Sequence, residues 1–151
     1  LAKLTLTTPT RKKKLKLTSF VPKEYDEQVT VFEWAKWCKL PGIDMLYATL
    51  NGVPLPIGLA VKMSKAGLKR GPSDINLDVA RDRYFGLRIE MKRSTGGVVS
   101  DEQKAWAKRL QEEGYLAVVS PGAGHAIMII EGYLKQPRTV VIPFLSEEEK
   151  R

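Results

Sequence analysis

The chain has 151 residues, is 43% hydrophobic and 28% charged, and carries a formal net charge of +8, a composition that suits one globular domain and argues against disorder. No apolar run approaches the roughly 18 residues that span a bilayer, and the basic N-terminal segment is not followed by an apolar signal core, so a soluble, intracellular protein without a membrane partner is expected. The one cysteine, Cys38, excludes an internal disulfide and a cysteine metal site, and is expected to be a small core residue.

In chain order, residues 1–22 read as a basic arm in which Arg11 is followed by Lys12, Lys13, Lys14 and Lys16. Lys23 to Cys38 has the pattern of a first helix, ended by Pro41-Gly42. Met45 to Leu50 resembles a short strand closed by the Asn51-Gly52 turn signal. After Pro56, the run IGLAVKMSKAG has helical composition and stops at Gly67, a residue suited to the C-terminal cap. A second basic group, Lys62, Lys65, Lys69 and Arg70, falls on this helix and just beyond it.

Two strand patterns follow. In DINLDV, Ile75, Leu77 and Val79 alternate with Asp74, Asn76 and Asp78, and in LRIEMK, Leu87, Ile89 and Met91 alternate with Arg88, Glu90 and Lys92. Each strand therefore has one apolar and one polar face. The short connection ARDRYFG predicts an antiparallel hairpin, which brings Asp74 toward Glu90. Ser100 with Gln103 three residues on predicts a capping box at the start of a helix that Gly114 ends, with Asp101 and Glu102 suited to its positive end. Tyr115 to Val119 reads as a buried strand, the PGAG sequence at 121–124 as a tight strand-to-helix turn, Ala126 to Leu134 as a last helix, and Thr139 to Phe144 as an edge strand. The expected fold class is α/β, with a mixed central sheet flanked by helices.

Acids placed on strands of a strongly basic chain point to a polyanionic substrate, with metal ions offsetting the acids where the substrate touches them. Phosphodiester hydrolysis needs charge stabilisation on the phosphate and an activated water, and Mg²⁺ or Mn²⁺ held by carboxylates supplies both. Asp74 and Glu90 on neighbouring strands can share one metal, and Lys92, two residues beyond Glu90, lies on the same strand face because side chains repeat with period two. A lysine there can orient the water and stabilise charge at the reacting phosphate. The basic arm and the group from Lys62 to Arg70 supply candidate DNA-backbone contacts, a solvated surface being the competing reading.

Pro72-Ser73-Asp74 followed by Glu90-Met91-Lys92 resembles the PD-(D/E)xK nuclease motif, with Ser73 interposed between the proline and the aspartate. A wider ordered set is more specific: Glu24 to Gln28, Asn51-Gly52, Gly67, Gly71 to Asp74, Gly86 to Lys92, Gly96-Gly97, Ser100 to Gln103 and Gly114-Tyr115. Together these resemble the virus-type replication-repair nuclease domain, VRR-NUC, in its small stand-alone phage and bacterial form. The resemblance covers about residues 24 to 134, and residues 23–145 are assigned to the domain, with 146–151 as a charged tail.

The resemblance implies a restriction-endonuclease-like core in which a first-helix glutamate joins the aspartate, glutamate and lysine, with Mg²⁺ or Mn²⁺ as cofactor. Metal contacts are expected from Asp74, Glu90, the Met91 backbone carbonyl and the helix glutamate, the last directly or through water. At 100 degrees per residue Glu27 lies within about 40 degrees of Val31, Trp34 and Cys38 on the inward stripe; Glu24 is second choice, and Glu33 faces away. A helix-start acid favoured by the dipole is the structural alternative for Glu27. Gln103 has two readings, a capping residue and a site residue near Lys92. Arg93, just past the catalytic strand, joins the expected DNA contacts. The resemblance further implies a DNA endonuclease, and among the stand-alone forms a homodimeric Holliday-junction resolvase in the cytoplasm of a bacterial or phage-infected cell. A flap or duplex nuclease with the same site and a non-catalytic DNA-binding module are the alternatives.

The remaining motifs carry less. Asp78 is on the correct strand face, yet four residues beyond Asp74 it lies more than about 10 Å away. His125, the only histidine, has no companion ligands and reads as a surface or helix-start residue. Neither Gly96-Gly97 nor the PGAG turn has the spacing of a P-loop or dinucleotide fingerprint, so no nucleotide cofactor is expected. Trp37, Tyr47 and Leu50 are candidates for an interface, with core burial the default for each.

Overall fold

The computed structural model describes residues 23–49 and 55–139. The arm at 1–22, the Asn51-Gly52 turn, Leu50, the expected strand beyond Thr139 and the charged tail lie outside the described residues. The elements run α1 (Glu24–Ala35), β1 (Leu46–Ala48), α2 (Ile57–Lys65), β2 (Ile75–Leu77), β3 (Leu87–Lys92), α3 (Asp101–Glu112), β4 (Leu116–Pro121) and α4 (Ala123–Leu134), with a 3-10 turn at Ile43–Met45 before β1. This is the order the sequence implies.

The sheet has strand order β1-β2-β3-β4. β1 and β2 pair antiparallel, as do β2 and β3, whereas β4 returns through α3 to lie parallel to β3. Ile75 faces Ile89 across the hairpin, so Asp74, one residue before β2, stands opposite Glu90. The hairpin closes at Arg81 and Tyr84, which exchange backbone bonds of 3.0 and 2.8 Å around Asp82, at φ 48°, a conformation aspartate tolerates.

Hydrophobic burial fixes the orientation of the sheet. Ile75, Leu77, Leu87, Ile89 and Met91 form a core with Val31 of α1 and Ala123, Ala126, Ile130, Tyr133 and Leu134 of α4. The two helices pack on each other and on β3, while α3 packs on β4. The alternation in β2 and β3 therefore does separate two faces, but the polar face is not a solvent face. Asn76, Glu90 and Lys92 are themselves buried. Only a polar network or a site accounts for charges held there, because an unpaired buried charge is costly.

Several expectations are corrected in detail. The first helix ends at Ala35, the chain then tightening through bonds from Trp37 N–H to the Trp34 carbonyl and from Cys38 N–H to the Ala35 carbonyl, which are three-residue rather than four-residue spans. β4 runs Leu116–Pro121 and is only half buried, with Val119 40% exposed, because it lies at the end of the sheet. α4 begins at Ala123 rather than Ala126, since Gly122 alone, at φ 83°, makes the turn. Cys38 is partly exposed beside Trp34 and Trp37, not in the core, and Trp37 is 80% exposed.

Candidate active site

Asp74, Glu90, Lys92 and Gln103 converge at the end of the β2–β3 pair, each for a local reason. Asp74 is placed by the β1–β2 ladder, its carbonyl accepting from Thr49 N–H at 2.9 Å. Its side chain reaches across the hairpin, where Oδ2 accepts the Met91 N–H at 2.8 Å. Lys92 turns back along its own strand face and donates from Nζ to Glu90 Oε1 at 2.8 Å, an ion pair whose side chains are only 9% and 7% exposed. The same Glu90 oxygen accepts from Gln103 Nε2.

Gln103 uses opposite ends of one amide, one for the cap of α3 and one for Glu90. Its Oε1 accepts Ser100 N–H at 2.9 Å and its backbone N–H donates to Ser100 Oγ at 3.2 Å, which closes the capping box of α3. Since Ser100 N–H is a donor, it takes the amide oxygen, and the amide nitrogen is left for Glu90. The helix start and the site are thus built with one side chain.

The electrostatics of the pair follow from burial. Desolvation pushes the Glu90 carboxyl up to about 7, and the neighbouring Asp74 charge adds to the rise while Lys92 opposes it. Asp74 is raised as well, first by desolvation, against the bond from Met91 N–H and the charge of Lys92. Each carboxyl acts on the titration of the other, so the two behave as an interacting pair. When both carboxyls are ionised, one lysine offsets one of two negative charges. The residual negative charge, set in hard oxygen donors, fits a divalent cation of the Mg²⁺ or Mn²⁺ type. Among the described residues no group of three or more His, Cys, Asp or Glu side chains could hold a metal ion. Mg²⁺ does not require one, because it is commonly held by one or two carboxylates, retaining waters and taking substrate phosphate oxygens.

The first-helix glutamates part company. Glu27 is buried, as its place on the inward stripe implies, and its Oε2 accepts the Ala123 N–H at 2.8 Å, at the positive end of α4. Glu24 is exposed and close enough to Asp74 for its charge to raise that carboxyl further. Glu33 is on the surface, paired with Lys36.

Of the expected DNA contacts, Lys62, Lys65, Lys69, Arg70 and Arg93 are exposed, and Arg11 to Lys14 lie outside the described residues. Asp78 is drawn into a separate network, with Arg88 Nη2 at 2.7 Å from Oδ1 and the Tyr47 hydroxyl donating to Oδ2 at 3.0 Å. His125 is exposed at the start of α4 with Nδ1 3.0 Å from Ser120 Oγ. A cleft of about 360 Å³ opens beside Glu90 between α3 and β4, lined by Ser73, Gln103, Lys104, Ala107 and Val119 among others. Sequence reasoning did not find Glu27's bond to α4 or the cleft, because both depend on how distant helices are placed.

A mixed sheet flanked by helices, with an aspartate, a glutamate and a lysine at the end of its central antiparallel pair, defines a restriction-endonuclease-like nuclease core. A solved chain described as "VRR_NUC domain protein" superposes with a TM-score of 0.68 at 32% sequence identity, the match covering 78% of this chain and 92% of that one. The chain belongs to the VRR-NUC family of nuclease domains. No family model and no curated protein matches the sequence.

Proposed function

We propose that the chain hydrolyses phosphodiester bonds in DNA in a divalent-metal-dependent reaction. The convergence of Asp74, Glu90 and Lys92 carries the reading, since Asp74 Oδ2 accepts from Met91 N–H at 2.8 Å and Lys92 Nζ lies 2.8 Å from Glu90 Oε1. Asp74, Glu90 and the Met91 carbonyl would hold Mg²⁺ or Mn²⁺, which when bound supplies charge neutralisation at the phosphate and a more acidic water. Glu24 is the better-placed helix glutamate for a water-mediated contact, Glu27 being committed to α4. Lys92 offers its ammonium to the reacting phosphate and orients the attacking water. Gln103 holds Glu90 with one carboxylate oxygen occupied.

We further propose that the substrate is branched DNA and that the working form is a homodimer acting as a Holliday-junction resolvase. Among the described residues the chain carries one such site, so paired cuts call for two chains, and two-fold symmetry suits the task. The basic residues Lys62, Lys65, Lys69 and Arg70, each of them exposed, supply backbone contacts. Incubation with a four-way junction and a matched linear duplex, with Mg²⁺, Mn²⁺ or EDTA and with the Asp74→Ala variant alongside, tests this. Metal-dependent paired nicks in the junction alone, absent in the variant, are expected. Cutting of both substrates would retain the nuclease and remove the junction preference, and binding without cutting would replace the enzyme by a DNA-binding module.

A further inference from the structure

The Gly96-Gly97 pair matches no phosphate cradle, and the reading above gives it no role. Its surroundings give it one. A Cβ built on Gly97 would lie 2.7 Å from Lys92 Cβ, 3.3 Å from Lys92 Cγ and 3.3 Å from Arg93 N, whereas one on Gly96 would meet nothing within 4 Å. Gly97 is outside the positive-φ region that Gly96 occupies at φ 76°, so what it requires is space, not an unusual backbone. The turn after β3 therefore folds back until its own main chain rests against the root of the Lys92 side chain.

Lys92 is held at three points. Its carbonyl accepts Gly122 N–H at 2.9 Å, and its ammonium meets Glu90 at 2.8 Å. Gly97 supplies the third, against the Cβ and Cγ. The first contact is itself buttressed, because Glu27 bonds Ala123 N–H at 2.8 Å, and a Cβ on Gly122 would meet Glu27 Oε1 and Ser94 Cβ at 3.4 Å. Lysine has a flexible four-carbon stem, and an ammonium that wanders by about 1 Å is poorly placed for chemistry. The contact falls on Cβ, one bond from a backbone paired with β4 at Pro121, so the far end of the side chain cannot absorb an added methyl group. Either the turn lifts away, leaving the stem unsupported, or the end of β3 shifts.

We infer that Gly97 is a positioning residue for Lys92, its missing side chain letting the 93–97 turn confine the lysine stem so that the ammonium stays on Glu90. The inference rests on the nuclease reading for its catalytic consequence but not for its geometry.

Gly97→Ala and Gly96→Asn separate the contact from a general disturbance of the turn, since asparagine tolerates the left-handed backbone of Gly96 and has open space there. For each variant the single-turnover cleavage rate, DNA affinity in EDTA, thermal midpoint and the ¹⁵N signal of the Lys92 ammonium are measured. Gly97→Ala is expected to slow cleavage roughly tenfold to a hundredfold with affinity within about twofold of the parent and the fold intact. Its Lys92 ammonium signal should shift or broaden into solvent exchange, and Gly96→Asn should match the parent in every readout. Parental cleavage and an unmoved ammonium signal in Gly97→Ala would overturn the inference, as would equal losses in both variants. Should the parent cut no DNA, the nuclease reading would fall, and the ammonium signal would still decide the positional claim.

Discussion

At the scale of single residues, the site is a conflict between charge and burial that its neighbours only partly resolve. Replacement of Asp74, Glu90 or Lys92 by alanine is expected to abolish cleavage while DNA binding survives, which gel-shift and cleavage assays on the same preparations measure; retained cutting by any of them would remove that residue from the site. Asp74→Asn keeps an oxygen for Met91 N–H but removes one of two adjacent acids. In metal-free protein at pH 8 it should melt higher than the parent while cutting nothing, the trade expected where function holds like charges together. Gln103→Ala should do two things at once: loosen the start of α3, at a cost of about 0.3–1.5 kcal/mol, and release Glu90. A thermal midpoint that falls without any loss of cleavage would show that its amide nitrogen does no work at the site.

Among elements, the tie between α1 and α4 is made by a buried carboxylate on a helix N-terminus, Glu27 Oε2 to Ala123 N–H at 2.8 Å. Hydrogen bonds to charged groups contribute about 1.5–3 kcal/mol, so Glu27→Ala should lower stability by roughly that amount in chemical denaturation. Unchanged stability would mean that water replaces the carboxylate at no cost. Period-two alternation in β2 and β3, the capping box at Ser100 and Gly114 as a helix stop were legible in the sequence, because each is set by residues within a few positions of one another. The parallel return of β4, and with it the half-exposed edge at Val119, was not, since strand order depends on packing across the whole sheet. The inward stripe correctly buried Glu27, but amphipathicity says which way a side chain points and not what it meets. Glu27 meets α4, whereas Glu24 is exposed and its charge acts on Asp74. Likewise Gly96-Gly97 was visible as a pair, while the closeness of Gly97 to Lys92 Cβ arises only once the turn has folded back.

For the whole molecule, the buried carboxyls link protons to stability with a definite sign. Glu90 titrates near 4.5 in the unfolded chain and about 7 when folded, so between those values the native state holds the extra proton. Metal-free stability should therefore be fully present below about pH 4.5 as far as this group is concerned, and decline by on the order of 2 kcal/mol as pH rises to about 7. The raised Asp74 carboxyl acts in the same direction. Mg²⁺ should reverse the decline above pH 7 by binding the ionised pair, and a melting temperature indifferent to both pH and Mg²⁺ would contradict the assignment. DNA affinity should fall steeply with salt if Lys62, Lys65, Lys69 and Arg70 contact phosphates, because each contact releases condensed counterions. Among the described residues no helix is long and apolar enough to cross a membrane.

The claim on which the rest depends is that Asp74 and Glu90 together hold a divalent cation. Titration of the protein with Mn²⁺, followed by the loss of the free-ion electron paramagnetic resonance signal, measures that directly, with Asp74→Asn as the comparison. The expected result is Mn²⁺ bound by the parent at neutral pH, displaced by Mg²⁺ and weakened by acid, with binding lost in the variant. Equal Mn²⁺ uptake by parent and variant would contradict it.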